Sequence, residues 1–93
     1  GLVEYTQQAI DEFENHPDRV AEAREAIESL GGELTEYYNT LGQYDAVAVA
    51  EFPDDGTAMV NSIMQAKQGT VRIETLRAFD EDETRDIIGG LPD

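Results

Sequence analysis

Cysteine is absent from the 93 residues, which removes disulfides, thiolate metal sites and cysteine nucleophiles together. Basic residues are scarce. Six Lys and Arg, with Lys67 the only lysine, stand against twenty-one Asp and Glu, for a formal net charge of -15. A phosphate backbone is bound mainly by clustered Lys and Arg, so nucleic acid is excluded as an expected partner. Long apolar runs are missing as well. The longest, Ala46 to Ala50, falls far short of the roughly 20 residues that span a bilayer. The amino terminus lacks the basic and apolar regions of a secretory signal. These absences point to a soluble, cytoplasmic protein with no membrane partner.

The acidic residues are spread along the chain and not gathered into a tail. Their mutual repulsion opposes compaction in dilute salt, whereas at 1 M salt the screening length is only about 3 Å. Such a composition resembles that of proteins from salt-accumulating halophiles, and the surface is read as adapted to solvent more than to a partner.

The segment "HPDRVAEAREAIESLGG" carries helix signals at both ends. Pro17 suits the first helical position, Asp18 the first turn, and Gly31 and Gly32 the stop. Val20, Ala23, Ile27 and Leu30 share one stripe, with Glu22, Glu25 and Glu28 pointing away. A second helix is expected after Pro53, capped by Asp54 or Asp55, with Met59, Val60, Ile63 and Ala66 inward and an end at Gly69. A short third helical turn is expected in "EDETRDII". Strand candidates are "LVEYT", "ELTEYYNTL", "AVAVAEF" and "TVRIETLRAF". Ala46 to Phe52 is apolar at both parities until Glu51, the pattern of a central strand covered on both faces.

This order predicts one α+β domain over residues 1–93, a ferredoxin-like βαββαβ fold with an antiparallel four-stranded sheet and two helices on one face. No element is left to cover the other face, so self-association as a dimer or higher oligomer, sheet to sheet, is expected.

With the order in place, "LGQYDAVAVAEFPDD" resembles the signature of the GYD-domain family, here as Gly42, Gln43, Tyr44 and Asp45. The similarity extends through "HPDRVAEAREAIESLGGEL" and "QGTVRIETLRAFDEDE". The resemblance implies a dimeric α/β barrel and a first strand somewhat longer than "GLVEYT" supplies. Proteins of that architecture include ligand-sensing domains of transcriptional regulators and small cofactor-free oxygenases.

Turn chemistry alone accounts for the motif. Gly42 forms the turn at positive φ, Asp45 accepts hydrogen bonds from turn amides, and Tyr44 covers the end of the core. The alternative is that Tyr44 and Asp45 open onto a cleft. Tyr37 and Tyr38 precede the turn on opposite faces of a strand. Arg72 completes the candidate ligand-binding set, with Glu51 or Glu74 as its expected partner. His16, the only histidine, is read as a helix cap or loop residue. No metal site, cofactor or catalytic residue emerges. In "DEDETRD" a calcium loop starting at Asp80 would place Arg85 where glycine is needed and Leu91 where the bidentate glutamate belongs. The expected function is a small oligomeric ligand-binding or sensing domain, and the missing catalytic signature argues against an enzyme. The alternative is a cofactor-free, oxygenase- or isomerase-like enzyme with its site inside the barrel.

Overall fold

A computed structural model describes residues 1–92. In order these form β1 (Leu2–Tyr5), α1 (Gln7–Asp11), a 3-10 turn (Phe13–Asn15), α2 (His16–Ser29), β2 (Glu33–Asn39), β3 (Ala46–Glu51), α3 (Asp55–Lys67), β4 (Val71–Glu74) and α4 (Glu81–Ile88). The strands make one sheet in the order β2-β3-β1-β4, antiparallel throughout. The architecture is therefore α+β and ferredoxin-like, with β3 central as its two-faced apolarity predicts.

Helix α2 follows its sequence signals closely. Pro17 and Asp18 lie in the first turn, Ile27 is buried, and Val20, Ala23 and Leu30 are half-buried while Glu22, Glu25 and Glu28 are exposed. The two glycines after it serve different needs. Gly31 takes φ +81, the left-handed conformation that releases a helix without steric cost to glycine. Gly32 permits close approach, because a Cβ there would lie 2.5 Å from the Glu51 carbonyl oxygen.

Helix α3 begins where expected, with the Asp54 carboxylate accepting from the backbone N–H of Thr57 at 2.7 Å. This bond, and a second from the Thr57 hydroxyl at 2.8 Å, hold the Asp54 carboxyl below its usual range. The inward face, however, is the opposite of the predicted one. Met59, Val60 and Ile63 are 65%, 46% and 49% exposed, and Ala66 is exposed too. Asn61 and Gln65 are buried and Ala58 and Ser62 half-buried. Helical periodicity identifies which residues share a face but not where that face points. Here the small residues Ala58 and Ser62 allow close approach, and Ser62 Oγ meets Thr75 Oγ1 at 2.6 Å beyond β4.

Two further elements differ from expectation. Strand β4 ends at Glu74 and does not continue to Phe79, because its pairing with β1 runs only from Tyr5 opposite Val71 to Leu2 opposite Glu74. Helix α1 was not foreseen, being too short to show periodicity; Thr6 caps it by accepting from the Ala9 N–H.

Strand β2 holds a bulge. Leu34 pairs with Ala50 and Glu36 with Val49, so Thr35 is the extra residue, and its hydroxyl donates to the Val49 carbonyl at 3.0 Å. Beyond it Tyr37 pairs with Ala48 and Tyr38 with Val47. Tyr37 consequently faces the helices beside Leu34, and Glu36 and Tyr38 face away.

The core is built of Val3, Ala9, Ile27, Leu34 and Ala46. Many large apolar side chains lie outside it: besides the outer stripe of α3, Leu76, Phe79, Ile87, Ile88 and Leu91 are all more than half exposed. The radius of gyration is 15.1 Å, against about 12 Å for a compact domain of this length. No described helix is long and apolar enough to cross a membrane.

Candidate functional site

The candidate residues separate onto two faces. Tyr38, Tyr44 and Arg72 belong to the uncovered face of the sheet and its edge. Arg72 stands opposite Glu4 in register but forms no ion pair among the described residues, neither with Glu51 nor with Glu74. The Tyr44 hydroxyl donates to the Glu74 carboxylate, and that bond raises the Tyr44 pKa. A hydrogen bond to Glu36 raises that of Tyr38 in the same way. Both phenols stay neutral near neutral pH.

Asp45 has a structural task. Its backbone N–H donates to the Val3 carbonyl at 2.8 Å, and its carboxylate accepts the Tyr5 backbone N–H at 2.8 Å. The side chain thus replaces a ladder bond where β1 outruns its pairing with β3. Gly42 takes φ +116 between β2 and β3, and a Cβ built there would meet no atom within 4 Å.

Tyr37 leads to a different site. A recess of about 50 Å³ lies between the sheet and the helical layer. Tyr5, Tyr37 and Val71 form its floor, Ala9 and Phe13 one wall, and His16, Arg19, Val20 and Ala23 of α2 another; Gln65, Gln68 and Thr70 close it from the α3 side. The imidazole of His16 stacks on Phe13 at 4.8 Å between ring centres and lies 5.6 Å from Tyr5 and 5.7 Å from Tyr37.

A polar chain crosses this aromatic cluster. The Tyr5 hydroxyl donates to Asn39 Oδ1, which makes Tyr37 the donor in the 2.9 Å contact between the two phenols. Asn39 Nδ2 lies 3.4 Å from His16 Nε2, a long contact in which the ring nitrogen accepts only when the imidazole is neutral. Burial lowers the His16 pKa and so favours that form. Burial also raises the pKa values of Tyr5 and Tyr37, and their mutual contact and the nearby Asp45 charge add to the rise at Tyr5. At neutral pH the cluster is uncharged.

Arg19 supplies the cation of the recess. Its Nη2 pairs with Glu12, while its Nε is buried and has no hydrogen-bond partner among the described residues. No cluster of three or more His, Asp or Glu suited to a metal ion occurs among those residues. The arrangement sets a guanidinium and a neutral imidazole beside an apolar lining.

Sequence reasoning put Tyr37 and Tyr38 on opposite faces without choosing which faces the helices, and did not join Tyr37 to His16, Arg19, Phe13 and Asn39, which come from separate elements. The available signal was strand parity, since Tyr5 and Tyr37 share the helix side once the sheet order is known. Neither the curated proteins nor the solved structures searched contain a match. The model of the GYD domain matches residues 1–88, nearly the whole chain, which therefore belongs to the GYD domain family.

Proposed function

We propose that the protein is an oligomeric, salt-adapted cytoplasmic domain that binds or senses a small molecule in the recess between the sheet and α2. The observation that carries this reading is the convergence of the only histidine, two hydrogen-bonded tyrosines and a buried guanidinium N–H on one apolar-walled space. The buried donor has no partner among the described residues, where such groups ordinarily have one. Self-association is supported by the outward apolar stripe of α3 and the exposed Leu76, Phe79, Ile87 and Ile88, since patches of this kind mark interaction surfaces.

A second reading is favoured by one observation. His16 is held neutral by burial, the form in which an imidazole serves as a general base, so a cofactor-free proton-transfer enzyme would use the same recess. Small molecules released from protein purified in molar KCl, identified by mass spectrometry before and after incubation, separate the two. A molecule retained unchanged by the parent and lost from Tyr37→Phe supports binding; its conversion supports the enzyme. Equal retention by parent and Tyr37→Phe, Phe13→Ala and Arg19→Met variants rejects the recess as the site.

A further inference from the structure

Residues 74–92 are exposed without exception, yet they do not form a polar tail. Leu76, Phe79, Ile87, Ile88 and Leu91 are spread along them, and Ile87 and Ile88 share one face of α4 with Thr84. Helix α4 has 8 residues, short of the about 12–15 that a helix needs to persist alone in water. Among the described residues it packs along no other element.

The root of this arm is held beside α3. Thr75 Oγ1 meets Ser62 Oγ at 2.6 Å, and Arg77, whose guanidinium lies 4.5 Å over the Phe79 ring, pairs with Asp55 and Glu83 at 3.5 Å each. From Thr75 to Arg77 the chain therefore runs toward the first turn of α3, away from the stripe of Met59, Val60, Ile63 and Met64. Helix α4 stands clear of that stripe in its own chain.

Two exposed apolar surfaces could receive the arm from another copy, and charge separates them. The uncovered sheet face carries Glu4, Glu36, Glu51 and Glu74 around Val47 and Val49, with Arg72 the sole basic residue in the four strands. Laying α4 there, with its Glu81, Asp82, Glu83 and Asp86, would desolvate carboxylates that lack partners. The outer face of α3 has no such cost. No ionisable residue separates Asp55 from Lys67, and Lys67 has no ion pair among the described residues, so it can meet the acidic side of α4.

We propose that α4 is an exchanged arm: in a dimer of this chain, each copy lays Ile87, Ile88 and Leu91 on the α3 stripe of the other, about a twofold axis that closes the assembly. The proposal rests on the self-association inferred above and adds the two surfaces that make it. Arm and stripe hold nine large apolar side chains at about half exposure. Burying them in two reciprocal contacts removes on the order of 1,500 Å² of surface, the size of a specific interface.

The chain has no cysteine, so introduced thiols report the contact directly. Full-length chains carrying Ile63→Cys are mixed with chains carrying Ile88→Cys in molar KCl under mild oxidation. Disulfide-linked heterodimer is expected at least tenfold faster than in a mixture of Val49→Cys with Ile88→Cys chains. Light scattering should give a dimer mass for the parent and half that mass for Ile87→Glu and Ile88→Glu, at positions already exposed in one chain. Preferred linkage of Ile88→Cys to Val49→Cys would overturn α3 as the acceptor. A chain carrying both Ile63→Cys and Ile88→Cys that closes on itself as a monomer would overturn the exchange, placing the arm on its own α3. A dimer that survives both glutamate variants without linkage to Ile63→Cys would overturn the arm and leave self-association through another surface. A monomeric parent would overturn both.

Discussion

The Asp45 carboxylate accepts the Tyr5 backbone N–H at 2.8 Å, joining residues 40 apart in the chain. A side chain here does the work of a strand, since β1 pairs with β3 only at Leu2 and Val3. Asp45→Ala leaves that N–H without its acceptor and should destabilise the fold by about 1–3 kcal/mol. Asp45→Asn keeps a carbonyl oxygen in reach and should cost less. Urea unfolding in molar KCl, where the removed charge matters little, measures both.

Two glycines should rank in an order their surroundings dictate. Gly42→Ala meets no atom within 4 Å but must hold φ +116, which predicts a loss of about 1 kcal/mol from backbone strain. Gly32→Ala drives a Cβ to 2.5 Å from the Glu51 carbonyl, and a backbone atom cannot swing aside. It should destabilise more than Gly42→Ala, by about 1–3 kcal/mol as overpacking does. Thermal melts of the two variants side by side test the ranking.

The pH dependence of stability should contain a component from His16. Its folded pKa lies below the ordinary 6.5, so between those two values the unfolded chain binds more protons and stability rises with pH. The stabilisation is complete above about 6.5 and is lost as pH falls toward the folded pKa. Melts of the parent and His16→Gln from pH 7.5 to 5.0 in molar KCl should show a steeper decline in the parent. Parallel curves would remove the buried neutral imidazole.

Assembly should depend on the outer face of α3. The proposed oligomer appears in light scattering as a mass of at least two chains in molar KCl, and Ile63→Glu, at a position already 49% exposed in one chain, should shift it toward monomer with little loss of helix content. Val49→Glu does the same on the uncovered sheet face, where Val49 is 43% exposed. Whichever substitution dissociates the protein identifies the covering surface. A monomeric parent would remove self-association.

How far the fold could be read from sequence depended on whether a signal was local. The Asp54 cap, Pro17 and Gly31 act within one turn of chain, and each helix started or stopped as they indicated. The central place of β3 was legible because apolarity at both parities has few other causes. The inward face of α3 was not, since Met59 and Ile63 form as good a stripe as Ala58 and Gln65 and only the surrounding structure chooses between them. Within the candidate site, the alternation of Tyr37 and Tyr38 was predictable from the pleat. The bond between Tyr5 and Tyr37 and the stacking of His16 on Phe13 needed the sheet order and a 3-10 turn that leaves almost no periodic trace.

The bulge at Thr35 has a genetic consequence. Because Leu34 opposes Ala50 and Glu36 opposes Val49, loss of the Thr35 codon would leave a regular ladder with Tyr37 still opposite Ala48 and still beneath His16. Loss of the Tyr37 codon, two positions later, would slide Tyr38 into its place and draw Asn39 and the turn out of register. Strand β2 thus has one position at which the length of the gene can change by three nucleotides without carrying the aromatic cluster to the other side of the sheet, and this position lies inside a strand, where insertions and deletions are ordinarily least tolerated.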